Sequence, residues 1–165
     1  MSVNKAVVLN SGGLDSTTCM AVARDRGDDI YSLSFRYGQQ HAVELRHARE
    51  NARRFGALQH CELRVELEKI VKSELTGTGG FTDGPVPPTY VPSRNIIFLS
   101  IGSAWAESLE AGHLYTGVTA VDFSGYPDCR PEFISGFQKA LDTGTRCGAA
   151  ACGGTASCPG ERPAV

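Results

Sequence analysis

The chain has 165 residues, 41% of them hydrophobic and 21% charged, with a formal net charge of -2. That length fits one domain, able to bury a full core without metal or disulfide staples. The near-neutral balance argues against a dedicated nucleic-acid or membrane-surface binder, and no window approaches the roughly 18 consecutive apolar residues of a membrane span.

The first nine residues are too short and too polar for a signal peptide, so a cytoplasmic protein is expected. In that compartment the six cysteines read as reduced thiols. In chain order, residues 5–10 (KAVVLN) form a short apolar run closed by a Ser-Gly-Gly turn, which predicts a buried strand. A helix follows over 15–26, with Asp15 and Ser16 as capping types at its start and Gly27 as its stop. Residues 30–36 (IYSLSFR) alternate apolar and polar, a second strand. Residues 39–55 place Val43, Leu45, Ala48, Ala52 and Phe55 among charged side chains, an amphipathic helix ending at Gly56. A third strand is predicted over 61–65. Residues 76–92 hold four glycines and four prolines, an irregular stretch whose length points to a function. An apolar helix over 94–110, a strand over 114–119 and a proline-started helix over 131–142 complete the order. Strand alternating with helix predicts an α/β domain with a mainly parallel sheet and helices on both faces. In such sheets ligands bind beyond the carboxyl ends of the strands.

Three constellations sit at such places. Ser11-Gly12-Gly13-Leu14-Asp15-Ser16 joins the first strand to the first helix. Its glycines allow close backbone approach to a ligand, the helix start favours an anion, and Ser11, Ser16, Thr17 and Thr18 add hydroxyl donors. Asp15 suits an anion cradle only if it holds a magnesium ion that bridges phosphates. No lysine follows the glycines, so this is not a Walker A loop, and the spacing is not the dinucleotide fingerprint. An ordinary turn capping a helix is the plain alternative. Residues 121–133 (VDFSGYPDCRPEF) follow the predicted 114–119 strand; their acids, arginine, serine and aromatics suit a planar polar ligand such as a guanine-like base, or form a solvated loop. Ser93 can cap the helix that follows it, which places Arg94 in the first turn against the dipole preference. A cation so placed serves a ligand anion, unless it is simply exposed.

SGGLDSTTC, SFRYGQQHAVEL, VPSRN and TGVTAVDFSGYPDCRPEF, in this order over residues 5–145, resemble the 7-cyano-7-deazaguanine synthase (QueC) family of queuosine biosynthesis, within the N-type ATP pyrophosphatases. The resemblance implies an adenine nucleotide α-hydrolase-like fold and the conversion of 7-carboxy-7-deazaguanine and ammonia to 7-cyano-7-deazaguanine at the expense of ATP. It implies that Val8, Leu9, Asn10, Ser11, Gly12, Gly13, Leu14, Asp15, Ser16, Thr17 and Thr18 bind ATP together with Arg94 and Asn95. Asp15 would lie near magnesium, and Asp15, Ser16 and Arg94 would carry the chemistry. Asp122, Ser124, Gly125, Tyr126, Asp128 and Arg130 would surround the deazaguanine. His41 is open as a proton carrier or an ordinary surface residue, and Phe35 and Tyr37 as adenine neighbours or core. A homodimer fits the resemblance.

The end of the chain departs from the family pattern. Cys147, Cys152 and Cys158 have four and five residues between them with no fourth cysteine or histidine after them, a poor match to the four-cysteine zinc site the resemblance implies, so no zinc is expected here. From Gly148 onward the composition cannot bury a hydrophobic face. The expected division is a nucleotide-binding domain over 1–146, incomplete relative to the family, and a disordered tail over 147–165, as a truncated or frame-shifted reading would produce. Another ATP pyrophosphatase, such as a tRNA-modifying amidase or thiolase, and a non-catalytic nucleotide-binding fragment are the alternatives.

Overall fold

A computed structural model describes residues 5–38, 42–77, 79, 87–118 and 125–148. Four strands, β1 (Lys5–Leu9), β2 (Asp29–Arg36), β3 (Gln59–Arg64) and β4 (His113–Tyr115), form one sheet in the order β3-β2-β1-β4. Every pairing is parallel. The helices are α1 (Leu14–Asp25), α2 (Ala42–Arg54), α3 (Arg94–Leu109) and α4 (Pro131–Gly144). No helix among the described residues is long and apolar enough to cross a membrane.

The period-two alternation of β1 builds both halves of the core. Ala6 and Val8 face one way, against Met20, Ala23, Cys19 and Val22 of α1 and Phe55 at the end of α2. Val7 and Leu9 face the other way, against Phe98, Ile101, Trp105 and Ala106 of α3. Helices thus cover both faces, as predicted. Val7 and Val8 are fully buried, each stabilising the fold by about 1.5–3 kcal/mol. On the α3 side Phe35 stacks on Phe98 at 4.0 Å and Tyr31 meets Trp105 edge-on at 5.9 Å.

Several local expectations change on folding. The polar positions of β2 do not face water: Ser32 and Ser34 are buried under the α2 side, where only small side chains with internal partners fit. Val43 is exposed, and α2 seats itself on Ala48 and Ala52 instead. β4 stops at Tyr115, opposite Val8 of β1; residues 116–118 are not strand, and 119 lies outside the described residues. The cap of α1 is Gly13, without a side-chain cap bond, rather than Asp15 or Ser16; the Ser16 hydroxyl donates to Gly13 O at 3.0 Å. Ser93 stands at the cap position of α3 in the left-handed region, at φ 56°, and its side chain makes no cap bond. Of the irregular 76–92 stretch, both ends are described, and its far end is tied to the residues just before it: Glu74 N donates to Pro88 O at 3.1 Å and Ser73 Oγ to Thr89 O at 3.2 Å. Asp122, Ser124, His41, Cys152 and Cys158 lie outside the described residues, as does most of the 147–165 segment.

Candidate active site

The strand order decides where a cleft can open. After β1 the chain moves to β2 and β3 on one side, then returns to place β4 on the other. Beyond the carboxyl ends at such a reversal the loops diverge and leave a crevice. A cavity of about 320 Å³ occupies that position, walled by Leu9, Asn10, Ser11, Gly13, Asp15 and Ser16 after β1 and by Leu33, Phe35 and Tyr37 of β2 and its end. Thr116 and Gly117 close it after β4, Glu44 and Leu45 from α2, Leu75 from the following segment, and Arg94, Asn95, Phe98 and Leu99 from α3. One wall is apolar and the other polar, as a ligand with a flat apolar ring and a charged tail requires.

The turn after β1 is held by Asn10, which is buried. Its Nδ2 donates to Ser32 Oγ at 3.0 Å and to Ala48 O at 2.9 Å, and its Oδ1 accepts from Gly12 N at 3.0 Å. Ser34 Oγ donates to Asn10 O. The buried serines of β2 therefore exist to anchor this turn. Gly12 adopts φ +86°, and a Cβ there would lie 2.3 Å from Glu44 O and 2.8 Å from Ala48 N. Gly117 allows the end of β4 to approach equally closely; a Cβ on it would lie 2.8 Å from the Asp15 carbonyl carbon. The first helical bond of α1 runs from Thr17 N to Gly13 O, so the N–H groups of Leu14, Asp15 and Ser16 have no intrahelical acceptor and are free for an anion.

Of the ATP-site residues expected from sequence, Leu9, Asn10, Ser11, Gly13, Asp15, Ser16, Arg94 and Asn95 line the cavity. Val8 lies beneath it in the core, Leu14 is 81% exposed, and Thr17 and Thr18 turn their hydroxyls back to Gly13 O and Leu14 O. Gly12 shapes the turn from behind. Arg94 places its guanidinium carbon 6.0 Å from the Tyr37 ring centre. Burial pushes the Tyr37 hydroxyl up from its ordinary value, and the Arg94 charge pulls the other way. Phe35 and Tyr37 both pack on Phe98.

The segment expected around the deazaguanine is described only from Gly125. None of its described residues lines this cavity. Tyr126 Oη pairs with Thr89 Oγ1 at 2.9 Å, Arg130 is exposed at the cap of α4, and Asp128 is buried with its Oδ2 accepting from Asn95 N at 3.1 Å. Glu44, Thr116 and Gly117 are cavity residues that pattern reading did not single out, although all three fall inside the quoted motifs. Among the described residues no cysteine lines the cavity. Cys19 is half-buried; burial, and then the charge of Asp15, push its thiol up, so it is a poor nucleophile. Among the described residues no three His, Cys, Asp or Glu side chains gather as a metal set.

The fold and site together define an open parallel α/β domain of the adenine nucleotide α-hydrolase-like class, with its ligand crevice at the topological switch between β1 and β4. A solved structure with this fold is titled a predicted subunit of tRNA methyltransferase from Methanocaldococcus jannaschii DSM, with TM-score 0.53 and 18% identity, covering 83% of this chain and 63% of that one. A family model described as queuosine biosynthesis protein QueC matches residues 5–152. The chain belongs to that family. Among curated relatives, the 7-cyano-7-deazaguanine synthase of Geotalea daltonii is 50% identical over 87% of this chain and 65% of its own length. Those of Geobacter sulfurreducens and Magnetococcus marinus are 51% and 49% identical, over 87% and 89% of this chain and 62% and 67% of theirs. The chain thus spans about two thirds of the relatives it matches.

Proposed function

We propose that this chain carries the nucleotide-activating part of a 7-cyano-7-deazaguanine synthase, working in the cytoplasm on 7-carboxy-7-deazaguanine, ammonia and ATP. The observation that carries it is the cavity in which the bare N–H groups of α1 and the Arg94 guanidinium face one space beside an apolar wall. The apolar side, Leu33, Phe35 and Phe98, would take the adenine. The start of α1, Ser11, Ser16 and Arg94 would take the phosphates. Asp15 is exposed and lines the cavity, as does one other acid, Glu44; Asp15 would hold a magnesium ion that takes its remaining ligands from phosphate and water. That ion would neutralise charge building on the phosphates.

In this reading a carboxylate oxygen of the substrate attacks the α-phosphorus of ATP and pyrophosphate leaves. Ammonia displaces AMP to give the amide and loses a proton. A second adenylation, on the amide oxygen, lets AMP leave with that oxygen as two protons depart, which yields the nitrile. The protein supplies position and charge stabilisation for these steps rather than a nucleophile. Asp122, Ser124, Gly125, Tyr126 and Arg130 are proposed around the deazaguanine. That no cysteine is among the described residues of the cavity wall weighs against a thiolase.

Titration of the purified chain with Mg-ATP, followed by mass spectrometry of 7-carboxy-7-deazaguanine incubated with ammonia and Mg-ATP, tests this. Binding with nitrile, AMP and pyrophosphate formed is the expected result. Binding with no nitrile identifies a nucleotide-binding fragment, and no binding overturns the reading.

A further inference from the structure

The start of α3 presents a physical problem. Arg94 is its first residue, where the helix dipole disfavours a cation. Ser93 before it is left-handed and offers no side-chain cap. An N-terminus in that state frays, and the guanidinium on it would wander. The remedy comes from elsewhere in the chain. Asp128 Oδ2 accepts from Asn95 N at 3.1 Å, and Asn95 Nδ2 donates back to Asp128 O at 3.0 Å and to Cys129 Sγ at 3.3 Å. Asp128 and Cys129 are 5% and 4% exposed. The carboxylate does what an N-cap side chain does, satisfying a first-turn N–H and offsetting both the dipole and the adjacent cation.

We infer that Asp128 is a positioning residue that locks Arg94 toward the phosphate side of the cavity, and not an acid that reads the deazaguanine base. The inference rests on the nucleotide-binding reading above. It ties the two halves of the site together, because the segment expected to hold the deazaguanine also anchors the helix that carries Arg94. It assigns Asp128 a partner, Asn95, in place of the substrate.

The test is calorimetric binding of Mg-ATP, adenosine and 7-carboxy-7-deazaguanine to the full chain and to D128A and D128N, with folding checked by circular dichroism. D128A removes the acceptor and is expected to weaken Mg-ATP by about 10-fold while leaving adenosine, which lacks phosphates, unchanged. D128N keeps an oxygen acceptor for the Asn95 N–H. It is expected to restore Mg-ATP affinity to within about threefold and to leave 7-carboxy-7-deazaguanine binding unaltered. D128N is near-isosteric, so it decides the matter even if D128A does not fold. Loss of 7-carboxy-7-deazaguanine affinity in D128N with Mg-ATP affinity intact would overturn the inference. So would equal losses of ATP and adenosine in D128A, which mark a general structural effect. Failure of the unaltered chain to bind Mg-ATP strikes the functional reading itself; normal binding there with undiminished binding by D128A strikes the positioning role alone.

Discussion

Gly12 shows how much one backbone position decides. Its φ of +86° excludes most side chains, and the space where a Cβ would go is filled by the backbone of α2. Backbone cannot swing aside as a flexible side chain can. Gly12→Ala is expected to cost about 2–3 kcal/mol or more, read as a lower urea midpoint, and to abolish Mg-ATP binding. That a glycine pair would sit here was legible from SGGLDS; that α2 is what presses on Gly12 was not, because Glu44 and Ala48 lie more than thirty residues away in sequence. A second prediction belongs to Tyr115. Its ring is buried and its Oη donates to Asp28 Oδ2 at 2.9 Å. Burial first, then that bond, push its pKa up to about 12. The folded state therefore holds the proton more tightly than the unfolded chain, whose tyrosine titrates near 10. The stability this supplies is complete below about pH 10 and drains away as pH climbs through 12. Denaturant unfolding at a series of pH values should show that loss, and Tyr115→Phe should flatten it.

At the scale of elements, the ends of helices divide the legible from the hidden. Gly27 and Gly56, read as stops, adopt φ of 78° and 71°. Each closes its helix with the paired bonds of a Schellman turn: Gly27 N to Arg24 O with Asp28 N to Ala23 O, and Gly56 N to Arg53 O with Ala57 N to Ala52 O. α3 ends in the same way, with Glu110 N to Glu107 O and Ala111 N to Ala106 O, but puts Glu110 at φ 55°. No local signal marks a glutamate as a left-handed cap; packing of α3 on the sheet imposes it. Its contact with Arg146 is 3.8 Å between two exposed side chains and contributes little. Glu110→Gly is therefore expected to raise stability by about 0.5–1 kcal/mol, the relief of left-handed strain less the entropy of a freer unfolded chain. A thermal melt that falls instead would refute this. The serines of β2 make the same point from the other side: alternation located the strand, yet Ser32 and Ser34 face Asn10 rather than water.

For the whole molecule, ligand and fold are coupled. The cavity walls come from β1, β2, the end of β4, α2 and α3, so a bound nucleotide would cross-link elements far apart in sequence. At 100 times its dissociation constant a ligand specific for the folded state adds about 2.7 kcal/mol. For a chain of this length that corresponds to a rise of about 5–10 °C in melting temperature. Differential scanning fluorimetry with Mg-ATP should show this rise in the unaltered chain and a much smaller one in Arg94→Ala. An equal rise in both would remove Arg94 from the site.

The succession of strands and helices, the parallel sheet, the glycine turn after β1 and the family are all legible along the chain, because they follow from local periodicity, turn chemistry and contiguous motifs. Long-range packing settled that Glu44, Thr116 and Gly117 join the cavity, that β4 ends opposite Val8, and that Asp128 turns onto Asn95. Each of these depends on which backbone groups are left without partners once the sheet is assembled, and hydrogen-bond satisfaction in a close-packed interior is settled between elements rather than along the chain.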